Sequence, residues 1–256
     1  MATSREVYNR IRWDARFDRR RFVLAVPALG AASAVLSSTA GAQTPLTASE
    51  CAVFTRERQR GTSPDAALRM LVEGNERFVS GRTVNCDLRM QVRETAAGQA
   101  PFAAIVGCID SRVPPELVFD QRIGDVFCAR IAGNFVNDDI LGSLEFSTQL
   151  SGAKLVVVLG HSECGAIKGA IDGAKLGHLT AMLRAFAPAI KAAKATGEAN
   201  TKNKAYVQAV ADANAKLTAA QVASRSLVLR KLVDDKKLRV VSAMHDVATG
   251  RVTFFG

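Results

Sequence analysis

Short apolar runs alternate with longer amphipathic segments over most of the chain. The runs at 102–107, 126–131 and 155–160 combine small and β-branched residues and end at turn residues. Such runs are typical of strands buried on both faces of a parallel sheet. Ser63 and Pro64 precede apolar residues at helical spacing, which predicts a helix with a capping hydroxyl and a proline in its first turn.

The other segments continue this alternation and predict one α/β domain over residues 43–256. Its central, mostly parallel β-sheet is flanked by helices, and residues 43–62 form an irregular or loosely helical N-terminal arm. The remaining predicted elements are crossover helices at 115–119 and 139–150, an Ala- and Lys-rich helical region at 179–231 with a polar loop at 195–204, and a C-terminal strand pair at 238–244 and 252–255.

Residues 1–42 differ from the rest and predict a secretory signal. Residues 1–21 carry seven Arg against three acidic residues, an apolar run follows at 22–36, and Ala-Gly-Ala at 40–42 fits a cleavage site. The run is shorter than the roughly 20 apolar residues of a membrane span. The arginines at 19–21 resemble a twin-arginine signal, so we expect a periplasmic protein without stable membrane association after cleavage. A basic amphipathic N-terminus and a retained anchor are the alternatives.

Composition and charge narrow the classes of partner. The 256-residue chain is 48% apolar, enough for one full core, and its net charge is +10. The basic residues are interleaved with acidic ones, and only 6% of residues are aromatic. Because no basic stripe alternates with stacking rings, the sequence does not predict a nucleic-acid partner.

Two short motifs follow the first and third predicted strands. Cys108 begins Cys-x-Asp-x-Arg, and His161 and Cys164 belong to His-x-x-Cys-Gly. The carboxyl ends of parallel strands meet at one edge of the sheet, where ligands bind. Two thiolates and one imidazole suit Zn²⁺, and three protein ligands leave the open fourth position of a catalytic zinc. We therefore expect one zinc ion per chain, with bound water whose pKa falls towards about 7.

Asp110 and Arg112, within the first motif, are predicted to form a dyad. A free carboxylate beside the metal could occupy the open position and expel the water. A bidentate ion pair would instead hold Asp110 off the metal and orient it to accept a hydrogen bond from zinc-bound hydroxide. A purely structural salt bridge is the alternative.

The two motifs, about fifty residues apart, resemble those of the β-class carbonic anhydrase family. The resemblance extends from the helix around residues 73–78 to the turn at 249–250. It implies a lyase that hydrates CO₂ reversibly to bicarbonate and a proton on a dimeric or tetrameric α/β scaffold. It also implies the same three zinc ligands and the same catalytic dyad.

The resemblance extends to the substrate pocket. It implies that Gln99 donates a hydrogen bond to substrate, and that Phe127 and Ala132 line an apolar CO₂ pocket completed across a subunit interface. Ile105 stands where the bicarbonate-regulated subgroup has Trp, which favours the plant-type, open-site subgroup. Phe146 departs from plant-type members, which carry Tyr there.

Three cysteines and two histidines lie outside the predicted metal site. Cys128 lies in an apolar run and is predicted to be a buried structural thiol. Cys51 and Cys86 could pair in an oxidising compartment, which the sequence leaves open. His178 and His245 are not predicted to bind metal, although either could carry protons.

Two other functions fit parts of the sequence. The same fold and metal could hydrolyse carbonyl sulfide or carbon disulfide, depending on the width and lining of the pocket. A non-catalytic zinc-binding homologue would instead have a fourth protein ligand or lack the dyad.

Overall fold

The computed structural model describes residues 51–255 and contains one five-stranded sheet. Its strands are β1 (Ala103–Gly107), β2 (Val126–Arg130), β3 (Leu155–His161), β4 (Arg239–His245) and β5 (Val252–Phe255). The strand order is β2-β1-β3-β4-β5; the first four are parallel, and β5 is antiparallel to β4. The predicted mostly parallel sheet with a terminal strand pair is confirmed.

Helices connect the strands and lie against the sheet. Within the described residues the α-helices are α1 (Arg56–Gly61), α2 (Pro64–Val79), α3 (Leu88–Thr95), α4 (Pro115–Val118), α5 (Asp138–Glu145), α6 (Gly165–Ile171), α7 (Gly177–Leu183), α8 (Ala187–Ala192), α9 (Lys204–Arg225) and α10 (Leu227–Asp234). A π-helical turn, Phe146–Leu150, follows α5, and a 3₁₀ turn, Arg184–Phe186, follows α7. The polar loop predicted in the long helical region lies between α8 and α9.

Local sequence signals account for several helix ends. The Ser63 hydroxyl accepts a hydrogen bond from the Ala66 amide at 3.2 Å, so the predicted cap of α2 is confirmed. Asp87 caps α3 in the same way, accepting from the amides of Arg89 and Met90. Helix α3 was not predicted from the sequence, although the Asp87 cap is a signal that could have indicated it.

The sheet separates two apolar cores because alternate residues of a strand face opposite sides. Ala104 and Val106 of β1 pack in one core, together with residues of α9. Ala103 and Ile105 pack in the other core with α2. β1 and β3 are buried along their whole length, which confirms the prediction for these two strands.

The same prediction was wrong for β2. This strand is an edge of the sheet, and its residues are half-buried, except for exposed Arg130. Cys128 is consequently a half-buried free thiol, not the buried one that was predicted. β2 stays partly exposed because it has a neighbouring strand, β1, on one side only; the described residues include no strand on its other side.

Cys51 and Cys86 form a disulfide, with their Cα atoms 5.5 Å apart. The bond joins the segment before α1 to the loop before α3, and it answers the question that the sequence left open. The described residues belong to one compact unit. None of their helices has both the length and the apolar content to cross a membrane. The predicted signal at 1–42 and its cleavage site lie outside the described residues.

Candidate metal centre

The carboxyl ends of β1 and β3 bring the two motifs together. Cys108 follows β1, His161 is the last residue of β3, and Cys164 is the N-cap residue of α6. The ligand atoms of these three buried residues lie within 4.8 Å of one another. The parallel register of the neighbouring strands places both ends at one level, so the predicted juxtaposition is present.

The imidazole of His161 is prepared to bind a cation. Its Nδ1 atom lies 2.9 Å from the carbonyl oxygen of Ser162. A carbonyl can only accept, so Nδ1 must carry the proton, and Nε2 keeps a free lone pair. Nε2 is buried and has no hydrogen-bond partner among the described residues. A lone pair buried in this way beside two sulfur atoms fits a thiophilic cation such as Zn²⁺.

The two sulfur atoms differ in charge state. The hydrogen bond from the Cys164 thiol lowers the pKa of the Cys108 thiol most, and the bond from the backbone amide of Gly133 lowers it further. The neighbouring Cys108 and burial raise the pKa of Cys164 far above its usual range. The metal-free pair thus shares one proton, which a bound divalent cation would displace.

Asp110 and Arg112 form a bidentate ion pair at the margin of the cluster. Arg112 Nε donates to Asp110 Oδ1 at 2.9 Å, and Nη2 donates to Oδ2 at 2.8 Å. The Arg112 amide also donates to Oδ1 at 3.0 Å. Asp110 Oδ2 lies 4.0 Å from His161 Nε2. The Arg112 guanidinium holds the pKa of Asp110 well below its usual range, so the carboxylate is ionised at neutral pH.

Arg130 holds the backbone that carries this pair. Its Nε donates to the Cys108 carbonyl at 2.8 Å, and its Nη2 donates to the Asp110 carbonyl at 2.6 Å. Arg130 ends β2 and pairs in register with Gly107, so its side chain reaches the loop that follows β1. This role of Arg130 was not predicted from the sequence, because a hydrogen bond from a side chain to a distant backbone carbonyl has no local sequence signal.

Residues 103–252 match the family model described as carbonic anhydrase. The chain belongs to the β-carbonic anhydrase family. Its solved neighbours include a tetrameric β-carbonic anhydrase from the ascomycete Sordaria macrospora, with a TM-score of 0.57, 27% identity, and 64% of this chain and 85% of that chain covered. A Coccomyxa β-carbonic anhydrase in complex with acetazolamide, 24% identical with a TM-score of 0.57, shares the fold over 73% of this chain and 86% of its own.

Curated members of the β-carbonic anhydrase family match parts of the chain. Carbonic anhydrase 2 of Mycobacterium tuberculosis is 47% identical over 111 residues, which cover 43% of this chain and 54% of that protein. The carbonic anhydrase of Pseudomonas aeruginosa is 30% identical over 168 residues, 62% of this chain and 76% of that protein. The chain therefore spans about half the length of the Mycobacterium relative that it matches.

The three residues predicted for the carbonic anhydrase substrate pocket do not all lie close to the Cys-His-Cys cluster of their own chain. Ala132 directly precedes Gly133, whose amide donates to the Cys108 sulfur at 3.2 Å, so Ala132 lies near the cluster. Phe127 lies on β2 and contacts Phe146 edge-to-face, with ring centroids 6.2 Å apart. Gln99 is exposed before the amino end of β1, whereas Cys108 follows the carboxyl end.

The two other histidines of this carbonic anhydrase family member lie in different surroundings. His178 is exposed in α7. His245 is buried and pairs in register with His161, and burial lowers its pKa to about 4, so it is neutral. Neither belongs to the cluster of three possible metal ligands.

Proposed function

We propose that this chain is a zinc enzyme that hydrates carbon dioxide reversibly to bicarbonate and a proton. The observation that carries the proposal is a buried Cys-His-Cys cluster with an ionised, arginine-paired carboxylate at its margin. A metal-binding structural protein has no need of that second group. Membership of the β-carbonic anhydrase family supports the same reaction.

Cys108, His161 and Cys164 would hold one zinc ion. Zinc bound by three protein ligands lowers the pKa of coordinated water to about 7 and so supplies hydroxide near neutral pH. The cysteines would contribute two negative charges, and His161 a neutral nitrogen whose orientation the Ser162 carbonyl fixes. This donor set favours zinc over the hard cations Mg²⁺ and Ca²⁺, which prefer oxygen ligands.

Asp110 would accept a hydrogen bond from the attacking oxygen and so direct a lone pair towards the substrate. Arg112 holds both carboxylate oxygens, and this pairing keeps Asp110 ionised and turned to a fixed orientation. Phe127 and Ala132 would supply the apolar surface for CO₂. The paired state of the dyad and the presence of Ile105, where the bicarbonate-regulated subgroup has Trp, support the plant-type, open-site subgroup.

A homodimer or homotetramer would complete the site. The half-buried edge strand β2 supports this proposal, as does Phe146, whose side chain beside Phe127 is 51% exposed. Gln99 precedes the amino end of β1, whereas the Cys-His-Cys cluster of the same chain lies beyond its carboxyl end. Gln99 would therefore act at the cluster of a second copy of the chain. Sedimentation equilibrium tests the assembly, and a monomer with full activity would contradict it.

We further propose that the protein is exported to an oxidising compartment such as the periplasm. The Cys51–Cys86 disulfide supports this location, because such bonds are rare in reducing cytosol. Cell fractionation followed by free-thiol labelling tests it. Recovery in the cytosolic fraction, with both thiols free, would contradict the proposal.

Metal analysis and stopped-flow kinetics on the full chain test the function. We expect one zinc per chain and CO₂ hydration that Cys164→Ala abolishes together with the zinc. Absence of zinc, or of CO₂ turnover in zinc-loaded protein, would refute the proposal. A preference for carbonyl sulfide in a parallel assay would identify the alternative hydrolase, and zinc without either turnover would identify a non-catalytic homologue.

A further inference from the structure

We propose that Asn214 is a positioning residue for the metal centre, acting through the backbone of Gly133 on the sulfur of Cys108. Asn214 lies on α9, in the layer that covers the sheet, and not in either motif. The inference rests on the proposed function only in taking Cys108 as a metal ligand.

Two consecutive hydrogen bonds connect α9 with the cluster. Asn214, which is only 4% exposed, donates from Nδ2 to the Gly133 carbonyl at 2.9 Å. The amide of the same glycine donates to Cys108 Sγ at 3.2 Å. Both polar groups of Gly133 are therefore engaged, one by the helix and one by the possible metal ligand.

Gly133 needs an anchor because it is a glycine in an unusual conformation. Its φ angle is +78°, and an added Cβ would lie 2.6 Å from Cε1 of Phe186, so a larger residue does not fit. Glycine is the residue with the greatest backbone freedom. Packing against the Phe186 ring limits that freedom on one side, and the bond from Asn214 fixes the direction of the peptide group on the other.

The direction of the Gly133 amide matters because it points at a sulfur atom. An N–H group that donates to a thiolate withdraws electron density and fixes the lone pairs that remain for a metal. Partners that orient metal ligands in this way typically contribute 10- to 100-fold to metal affinity. An asparagine at 214 supplies the necessary donor, whereas a leucine of similar size would supply none.

The test compares full-length wild-type protein with Asn214→Leu. Zinc affinity, measured by competition with a chromophoric chelator, is expected to fall about 10- to 100-fold. In cobalt-loaded protein, the thiolate-to-cobalt charge-transfer band is expected to move to longer wavelength, because the sulfur loses a hydrogen bond. Val210→Ala is the matched control: Val210 is fully buried one turn earlier on α9, and its truncation should lower the melting temperature without moving the band.

The outcomes separate this inference from the proposed function. Wild-type protein that binds neither zinc nor cobalt would overturn the function itself. Normal wild-type binding, with unchanged affinity and band in Asn214→Leu, would overturn only the role of Asn214. Weaker affinity with an unmoved band would also overturn it, since general loosening would explain the loss. If Asn214→Leu does not fold, Asn214→Ser is measured with the same readouts. The serine hydroxyl can hydrogen-bond to a carbonyl within α9, so the variant removes the bond to Gly133 without burying an unpaired polar group.

Discussion

Asp110→Asn is the substitution that most directly tests the proposed chemistry. The wild-type carboxylate accepts three hydrogen bonds from Arg112, at 2.8, 2.9 and 3.0 Å. Asparagine keeps one oxygen of the pair and turns the other into an amide donor that faces a guanidinium donor. One arm of the bidentate pair is therefore lost, and the negative charge disappears with little change in volume.

The expected effects on stability and on turnover differ widely. The Arg112 side chain is 51% exposed, and ion pairs so close to solvent contribute about 0–1 kcal/mol to folding. A positioned acid-base group typically contributes about 10²- to 10⁴-fold to rate. At about 1.36 kcal/mol for each factor of ten, this corresponds to about 2.7–5.4 kcal/mol of the barrier. The variant should fold and bind zinc normally while its turnover collapses.

Stopped-flow CO₂ hydration gives kcat, and metal analysis of the same sample gives the zinc content. Asp65→Asn is the matched control. Asp65 forms an ion pair of 2.7 Å with Arg239, this pair lies away from the cluster, and Asp65 should therefore be dispensable for turnover. Turnover of Asp110→Asn within about twofold of wild type would remove Asp110 from the mechanism. Loss of zinc together with turnover would make Asp110 a residue that supports the metal site.

Three further perturbations address the metal, the disulfide and the core. Removal of zinc by a chelator should abolish turnover and lower the melting temperature. Adding zinc back should restore both in wild type but not in Cys164→Ala. Turnover by protein verified to be metal-free would contradict this prediction. Replacing Cys51 and Cys86 by Ser removes a disulfide between residues 35 positions apart and should lower the free energy of unfolding by about 3–4 kcal/mol. Denaturant titration measures this loss, and an unchanged unfolding midpoint would show that the disulfide does not stabilise the fold. Asn75→Leu deletes the three hydrogen bonds of 2.8–3.0 Å that the buried Asn75 side chain makes, and should lower the free energy of unfolding by about 3–5 kcal/mol without changing the zinc content per folded chain. A loss below about 1 kcal/mol would show that these bonds do not stabilise the core.

Much of the fold and of the cluster could be predicted because local patterns carried the information. β1 and β3 are central strands, so nearly every residue in them is apolar and the runs are unmistakable. Parallel strands end at the same edge, and this alone places Cys108 beside His161. The dyad is similarly local, since Asp110 and Arg112 are two residues apart and bond to each other.

What could not be predicted depends on contacts between distant parts of the chain. The β2 run is largely apolar, like that of a central strand, yet β2 lies at the edge of the sheet. An edge strand that a second protein chain covers can be as apolar as a central strand, so composition alone does not distinguish the two. Arg130 and Asn214 act on backbone carbonyls 22 and 81 residues away. Every residue has a carbonyl group, so the partner of such a bond leaves no trace in the sequence.

The possible metal ligands lie at or just beyond the carboxyl ends of two neighbouring strands, and this placement has a consequence for the stability of the protein. A cation held by all three would link the end of β1 to the end of β3, and would therefore favour the folded chain over the unfolded one. Ligand linkage makes that gain grow by about 1.4 kcal/mol for each tenfold rise in free zinc above the dissociation constant. The melting temperature would then report the zinc supply of the surroundings, and zinc-starved chains would be the first that proteases remove.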